Sequence, residues 1–151
     1  MKVKSLLLVM SVVGIAALFL SASLFAGTTV SDVIKMETKG YEKHEKGAVS
    51  FTHKKHIEEY KAGCGECHHD AKGKPLANLK SGDKVQSCIE CHKKPGEKPK
   101  GKDAPKLSKK EELEYHAEAL HMNCLGCHKD FNKKNNSKAA PTTCAKCHEK
   151  K

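Results

Sequence analysis

Apolar positions are spread very unevenly along this chain. From Ser5 to Ala26 the sequence is uncharged and rich in Leu, Val, Ala and Phe. Lys2 and Lys4 precede this run, and small residues (Ser21, Ala22, Ser23, Ala26) close it. That is the layout of a secretory leader, which predicts residues 1–26 as a signal peptide and 27–151 as the folded chain. After it the apolar residues thin out. Residues 27–50 read as a polar arm, ending in Ala48-Val49-Ser50-Phe51, a brief alternation that predicts a short strand. Ser108-Lys-Lys-Glu111 has the form of a capping box and predicts a helix with Leu113, Ala117 and Leu120 on one stripe. Residues 93–110 hold eight lysines against Glu97 and Asp103, with Pro95, Pro99, Pro105, Gly96 and Gly101, and predict a surface loop. The expected fold is one compact domain, mainly α, with much irregular structure and little sheet.

Composition sharpens a difficulty. Beyond the leader, Leu, Ile, Val and Phe make up 15 of 125 residues, or 12 %, and the formal charge is +8. Chains below about 20 % in these residues with high net charge are usually disordered, because they cannot bury enough apolar surface. This chain is therefore either disordered or assembled around something it binds.

The cysteines decide between these alternatives. All eight lie in four pairs: Cys64 and Cys67, Cys88 and Cys91, Cys124 and Cys127, Cys144 and Cys147. A histidine follows each pair at once: His68, His92, His128 and His148. C-x-x-C-H is the attachment pattern of c-type haem. Two thiols three positions apart can add to the two vinyl groups on one porphyrin edge, and the adjacent imidazole then falls beneath the iron. Four motifs with no cysteine left over predict four haem c groups. A disulfide framework gives no reason for the histidines, and zinc bound by paired thiolates leaves all ten histidines of the chain unexplained.

Six histidines remain for four distal positions: His44, His53, His56, His69, His116 and His121. Only Met36 and Met122 lie beyond the leader, so histidine–methionine ligation cannot be general. Full bis-histidine ligation leaves no open site and favours electron transfer. His68 and His69 are neighbours, and the axial nitrogens of one iron lie ~4 Å apart on opposite ring faces. His69 must therefore serve a different haem from His68, which brings two haems close together. His53 and His56, three apart on a helix, share a side and can each reach a separate iron.

From Phe51 to His148 the sequence resembles the class III c-type cytochromes, the tetrahaem cytochrome c3 family. The resemblance rests on Phe51-Thr-His53-Lys-Lys-His56, on Cys64-Gly-Glu-Cys67-His68-His69 and on the three further haem motifs in order. It implies a small N-terminal antiparallel β ribbon and a tetrahaem domain, with residues 51–94 as one two-haem half and 111–151 as the other. By the same resemblance His53 is the distal ligand of the first haem, His69 of the second and His56 of the third. The fourth takes its ligand from the segment before the third motif, where both His116 and His121 lie. Helical angles do not separate these two, and the resemblance selects His121, leaving His116 and His44 as surface or second-sphere histidines. Unlike several family members, which use C-x4-C-H for the second and fourth haems, all four motifs here are C-x-x-C-H.

The resemblance implies a periplasmic low-potential electron carrier, not an enzyme. It would shuttle electrons between dehydrogenases such as hydrogenase or formate dehydrogenase and membrane cytochrome complexes. Export argues against nucleic acid as partner despite a pI of 9.2. Ferric bis-histidine haem with both propionates ionised carries −1, so four take +8 to about +4, and the lysine loop suits acidic docking surfaces or a weak membrane-surface contact. Competing readings are a multihaem reductase with an open iron site, a zinc protein, and an anchored form retaining residues 5–26 as a span.

Overall fold

A computed structural model of the chain describes residues 30–148. The expected leader lies outside the described residues. Residues 30–81 and 85–148 belong to one compact unit.

The elements are short. Strand β1 (Ile34–Lys35) pairs antiparallel with β2 (Ser50–Phe51), Ile34 opposite Phe51 and Lys35 opposite Ser50. This is the expected ribbon, with Met36 N donating to Val49 O at 2.9 Å beyond it. Helix α1 (His53–Glu58) follows at once. Three of the C-x-x-C segments each make a single helical turn of their own: a 3₁₀ turn at Cys64–Glu66, α2 (Cys88–Cys91) and, at the end, α5 (Cys144–Cys147). The remaining one lies inside the long helix α4 (His116–Lys134), which α3 (Lys109–Glu112) precedes.

The capping box forms as its residues predict. Ser108 N donates to Glu111 Oε2 at 2.7 Å, and Glu111 N to Ser108 Oγ at 3.3 Å. The helix it opens is a different one from that expected. It ends after Glu112, and Tyr115 is extended (φ −80°, ψ 121°), so Leu113 does not share a continuous stripe with Ala117 and Leu120. The break has a physical cause. Lys94 inserts beside it as a parallel bridge to Tyr115, its N–H donating to Glu114 O at 2.9 Å and its carbonyl accepting from His116 N at 2.8 Å. Gly96 O accepts from Ala117 N at 3.1 Å. Two of the amide donors that a helix start leaves unpaired are thereby satisfied by the loop.

The segment 93–110 is thus a tethered loop. Lys94 pairs with Glu114 at 2.6 Å, Lys98 with Glu112 and Lys100 with Glu97. Lys102, Lys106, Lys109 and Lys110 stay free of ion pairs with the described residues.

Burial agrees with the composition. Among the described residues only His116 (3 % exposed) and Ala119 (8 %) are buried, both at the start of α4. Ile57, Val85, Met122 and Phe131 are exposed. The polypeptide by itself has almost no apolar core.

Candidate functional site

Each C-x-x-C-H motif bends into one turn, so its two cysteines stand three apart on the same side. The turn closes through the histidine amide: His68 N to Cys64 O at 2.8 Å, His92 N to Cys88 O at 2.9 Å and His148 N to Cys144 O at 2.8 Å. The second turn has its own box, Ser87 N donating to Glu90 Oε1 at 3.1 Å. The Ser87-x-x-Glu90 spacing is a signal for this turn that the sequence itself carries.

None of the eight cysteines is joined to another in a disulfide. Cys124 is exposed as a residue, yet its sulfur is crowded. Desolvation, then repulsion from Cys67, Cys88, Cys147 and Cys127, pushes its pKa up to about 11. One thiol from each of the other three motifs, Cys67, Cys88 and Cys147, therefore lies within electrostatic reach of Cys124. Burial likewise pushes Cys67 and Cys88 up.

The histidines come together in twos. The ring centroids of His53 and His68 are 6.5 Å apart, of His69 and His92 6.0 Å, of His56 and His128 6.2 Å, and of His121 and His148 6.2 Å. Every pair joins one motif histidine to one from elsewhere. With metal–imidazole bonds of about 2.0 Å and each centroid about 1 Å beyond its ligating nitrogen, two axial imidazoles have centroids about 6 Å apart. Among the described residues, no three or more His, Cys, Asp or Glu cluster to hold a bare metal ion. The spacing suits an iron held in a ring, ligated from both faces.

Backbone carbonyls orient five of these imidazoles. Nδ1 of His128 donates to Pro141 O at 2.7 Å, of His148 to Gly47 O at 2.8 Å, of His69 to Asp70 O at 2.8 Å and of His56 to Thr52 O at 2.9 Å. His92 Nδ1 donates to Leu113 O, freed by the break before α4. A carbonyl only accepts, so Nδ1 holds the proton and Nε2 keeps its lone pair for a metal. Burial first, then His53 and His69, lowers the His68 pKa, which favours the neutral, ligating form.

Local structure explains how neighbours diverge. His69 sits in an antiparallel bridge with Pro75, and extended backbone sends successive side chains to opposite faces. Asp70 Oδ1 closes this loop by accepting from Lys72 N at 2.8 Å and Lys74 N at 2.9 Å. Those two bonds hold the Asp70 carboxyl below its usual range. Asn132 organises the other loop. Its Nδ2 donates to Ala140 O at 2.9 Å and its Oδ1 accepts from Ala140 N at 3.0 Å, next to the Pro141 carbonyl that takes the His128 bond.

Two grooves flank α4. One, of about 690 Å³, runs past Cys64 of the first motif and Cys127 of the third; the other, about 290 Å³, lies beside His121. Met122 and Gly126 border both. A Cβ on Gly126 would meet nothing within 4 Å, so a flat ring can approach the helix there. Paired thiols, paired imidazoles and an open helix face fit haem c.

The profile of the class III cytochrome c family matches residues 30–148. The chain belongs to the class III cytochrome c family. It is a multihaem electron-transfer protein, and membership implies covalently bound haem c. No match to a curated protein was found.

The two remaining histidines of this class III cytochrome share Tyr41. Its hydroxyl is 2.9 Å from His116 Nδ1, and its ring stacks on His44 at 4.9 Å and 6°. His116 is thus buried, not at the surface. Burial, then the nearby His92, lowers its pKa. Sequence reasoning missed Tyr41, since one tyrosine in a polar arm carries no signal. Among the described residues, no helix is long and apolar enough to cross a membrane.

Proposed function

We propose that this class III cytochrome is an exported, periplasmic electron carrier holding four low-potential haems, each attached through one C-x-x-C-H motif. The distal ligands are His53, His69, His56 and His121 for the first to fourth haems, opposite His68, His92, His128 and His148. The observation that carries this reading is the pairing of every motif histidine with one other histidine at 6.0–6.5 Å.

Bound haem supplies a one-electron iron couple and, with imidazole on both faces, no site for a substrate. The chain's own residues hold the imidazoles neutral and oriented. Hydrogen bonds from Nδ1 to carbonyls make the ring a stronger donor, and histidine ligation with exposed rings keeps the potential low. Lys102, Lys106, Lys109 and Lys110 supply positive charge that steers acidic redox proteins, such as a dehydrogenase or a membrane cytochrome complex.

Intact mass of protein matured by a haem-attaching host should show four haem additions, with ferric iron entirely low-spin. A titration followed in the α-band should put all four potentials below that of the hydrogen electrode. Fewer additions overturn the haem count, and a high-spin ferric fraction overturns the carrier role.

A further inference from the structure

Three of the four imidazole pairs are crossed and one is not. The ring planes meet at 74° for His53 and His68, 74° for His69 and His92, and 83° for His121 and His148. For His56 and His128 the angle is 23°. We infer that the third haem, between His56 and His128, has a ligand field unlike the other three and is thereby biased toward its oxidised state. This rests on the bis-histidine reading above.

The reason is orbital. An axial imidazole has a filled π orbital perpendicular to its plane, which raises whichever of the two iron dπ orbitals it overlaps. Crossed rings raise both and leave the two close in energy. Aligned rings raise the same one and split them. Low-spin ferric iron has a single hole in this set, and splitting places it in the raised orbital, which stabilises the ferric ion. Ferrous iron fills the set and gains nothing. Alignment therefore favours oxidised iron, a tuning that acts through ligand orientation alone.

The polypeptide sets the angle. His56 is held by Nδ1 donating to Thr52 O at 2.9 Å, with the Phe51 ring at 4.7 Å and the Tyr60 ring edge-on at 5.4 Å. His128 is held by Pro141 O at 2.7 Å. Tyr60 is exposed, and among the described residues its one aromatic neighbour is His56, with Lys55 Nζ 5.6 Å from the Tyr60 ring centroid; it is a positioning residue that can be changed without replacing a ligand.

Electron paramagnetic resonance of the frozen, fully oxidised holoprotein tests this. The expected spectrum has one signal with three resolved g values, integrating to one spin, and three signals each dominated by a single large g. Tyr60→Leu should shift the g values of the first signal and leave the others in place. His56→Met should remove that signal, and if this variant fails to mature, Tyr60→Leu decides. Four large-g signals, or two or more with resolved g values, overturn the inference. So does a Tyr60→Leu spectrum in which the resolved signal stays where it was. Loss of the near-infrared band of bis-imidazole iron, or high-spin iron in the unaltered protein, points instead to failure of the bis-histidine reading.

Discussion

The Nδ1 of His148 donates to the carbonyl oxygen of Gly47 at 2.8 Å, across 101 residues of chain. The last haem motif is thus oriented by the segment just before β2. With His148 as an iron ligand, as proposed, that bond would push electron density into the imidazole and stabilise ferric iron. Deleting residues 30–47 removes the acceptor. The expected result is an upward shift in the potential of the fourth haem, read by redox titration, with the other three moving less.

His121 and His116 separate cleanly in space. His121 faces His148 at 6.2 Å, while His116 is buried against Tyr41. His121→Ala should leave one iron in four five-coordinate and high-spin, able to bind carbon monoxide when reduced. His116→Ala should keep all four low-spin and lower stability by about 2 kcal/mol, through the lost hydrogen bond and the space left behind. Optical titration with carbon monoxide distinguishes them, and binding to His116→Ala rather than His121→Ala would reverse the ligand assignment.

Gly65 sets the distance between the first motif and the loop after it. A Cβ there would lie 3.0 Å from Ala77 N and 3.1 Å from Ala77 Cα. Both are backbone atoms of the strand-like return that pairs Leu76 N with His68 O at 2.8 Å. Gly65→Ala should force that return away at a cost of about 1–3 kcal/mol, as over-packing does. Because His69 is bridged to Pro75 in the same loop, the second haem should show the larger spectral change. Thermal melting and the low-spin spectrum together check this.

His116 gives the holoprotein a pH dependence. Its folded pKa lies below the ordinary 6.5, through burial first and His92 second. The unfolded chain therefore takes up this proton before the folded one does. Stability from this group is fully present above pH 6.5 and is lost as pH falls from there toward the folded pKa. His116→Gln should remove this component, so its denaturant midpoint should fall less than that of the unaltered protein between pH 7 and pH 5. An identical slope in both proteins would show that His116 does not titrate differently on unfolding.

Much of the site was legible in local sequence. Each C-x-x-C-H motif is five adjacent residues whose chemistry meets one porphyrin, so the motifs needed no tertiary information. The strand at Ser50–Phe51 and the Ser108–Glu111 box were local in the same sense, while the pairing of that strand into a ribbon was implied by the family resemblance. The lack of a core was also visible, in 12 % Leu, Ile, Val and Phe beyond the leader. The helix stripe through Leu113 was misread because Lys94, about twenty residues upstream, supplies the hydrogen bonds that let the backbone turn extended at Tyr115.

What the sequence by itself determined is therefore the set of haem motifs, the histidine supply and the need for a bound group to fill the interior. Only the tertiary structure decided which histidine faces which. His56 meets His128 across 72 residues of chain, and residue types do not encode such a meeting. It also decided which carbonyls orient the rings: Gly47, Leu113 and Pro141 have nothing in common but a backbone oxygen, which every residue carries. The 23° alignment of His56 and His128, beside three crossed pairs, goes with the Thr52 and Pro141 carbonyls and with the Phe51 and Tyr60 rings packed on His56. Ligand identity is a property of side chains, but ligand orientation is a property of where the backbone has been folded to lie.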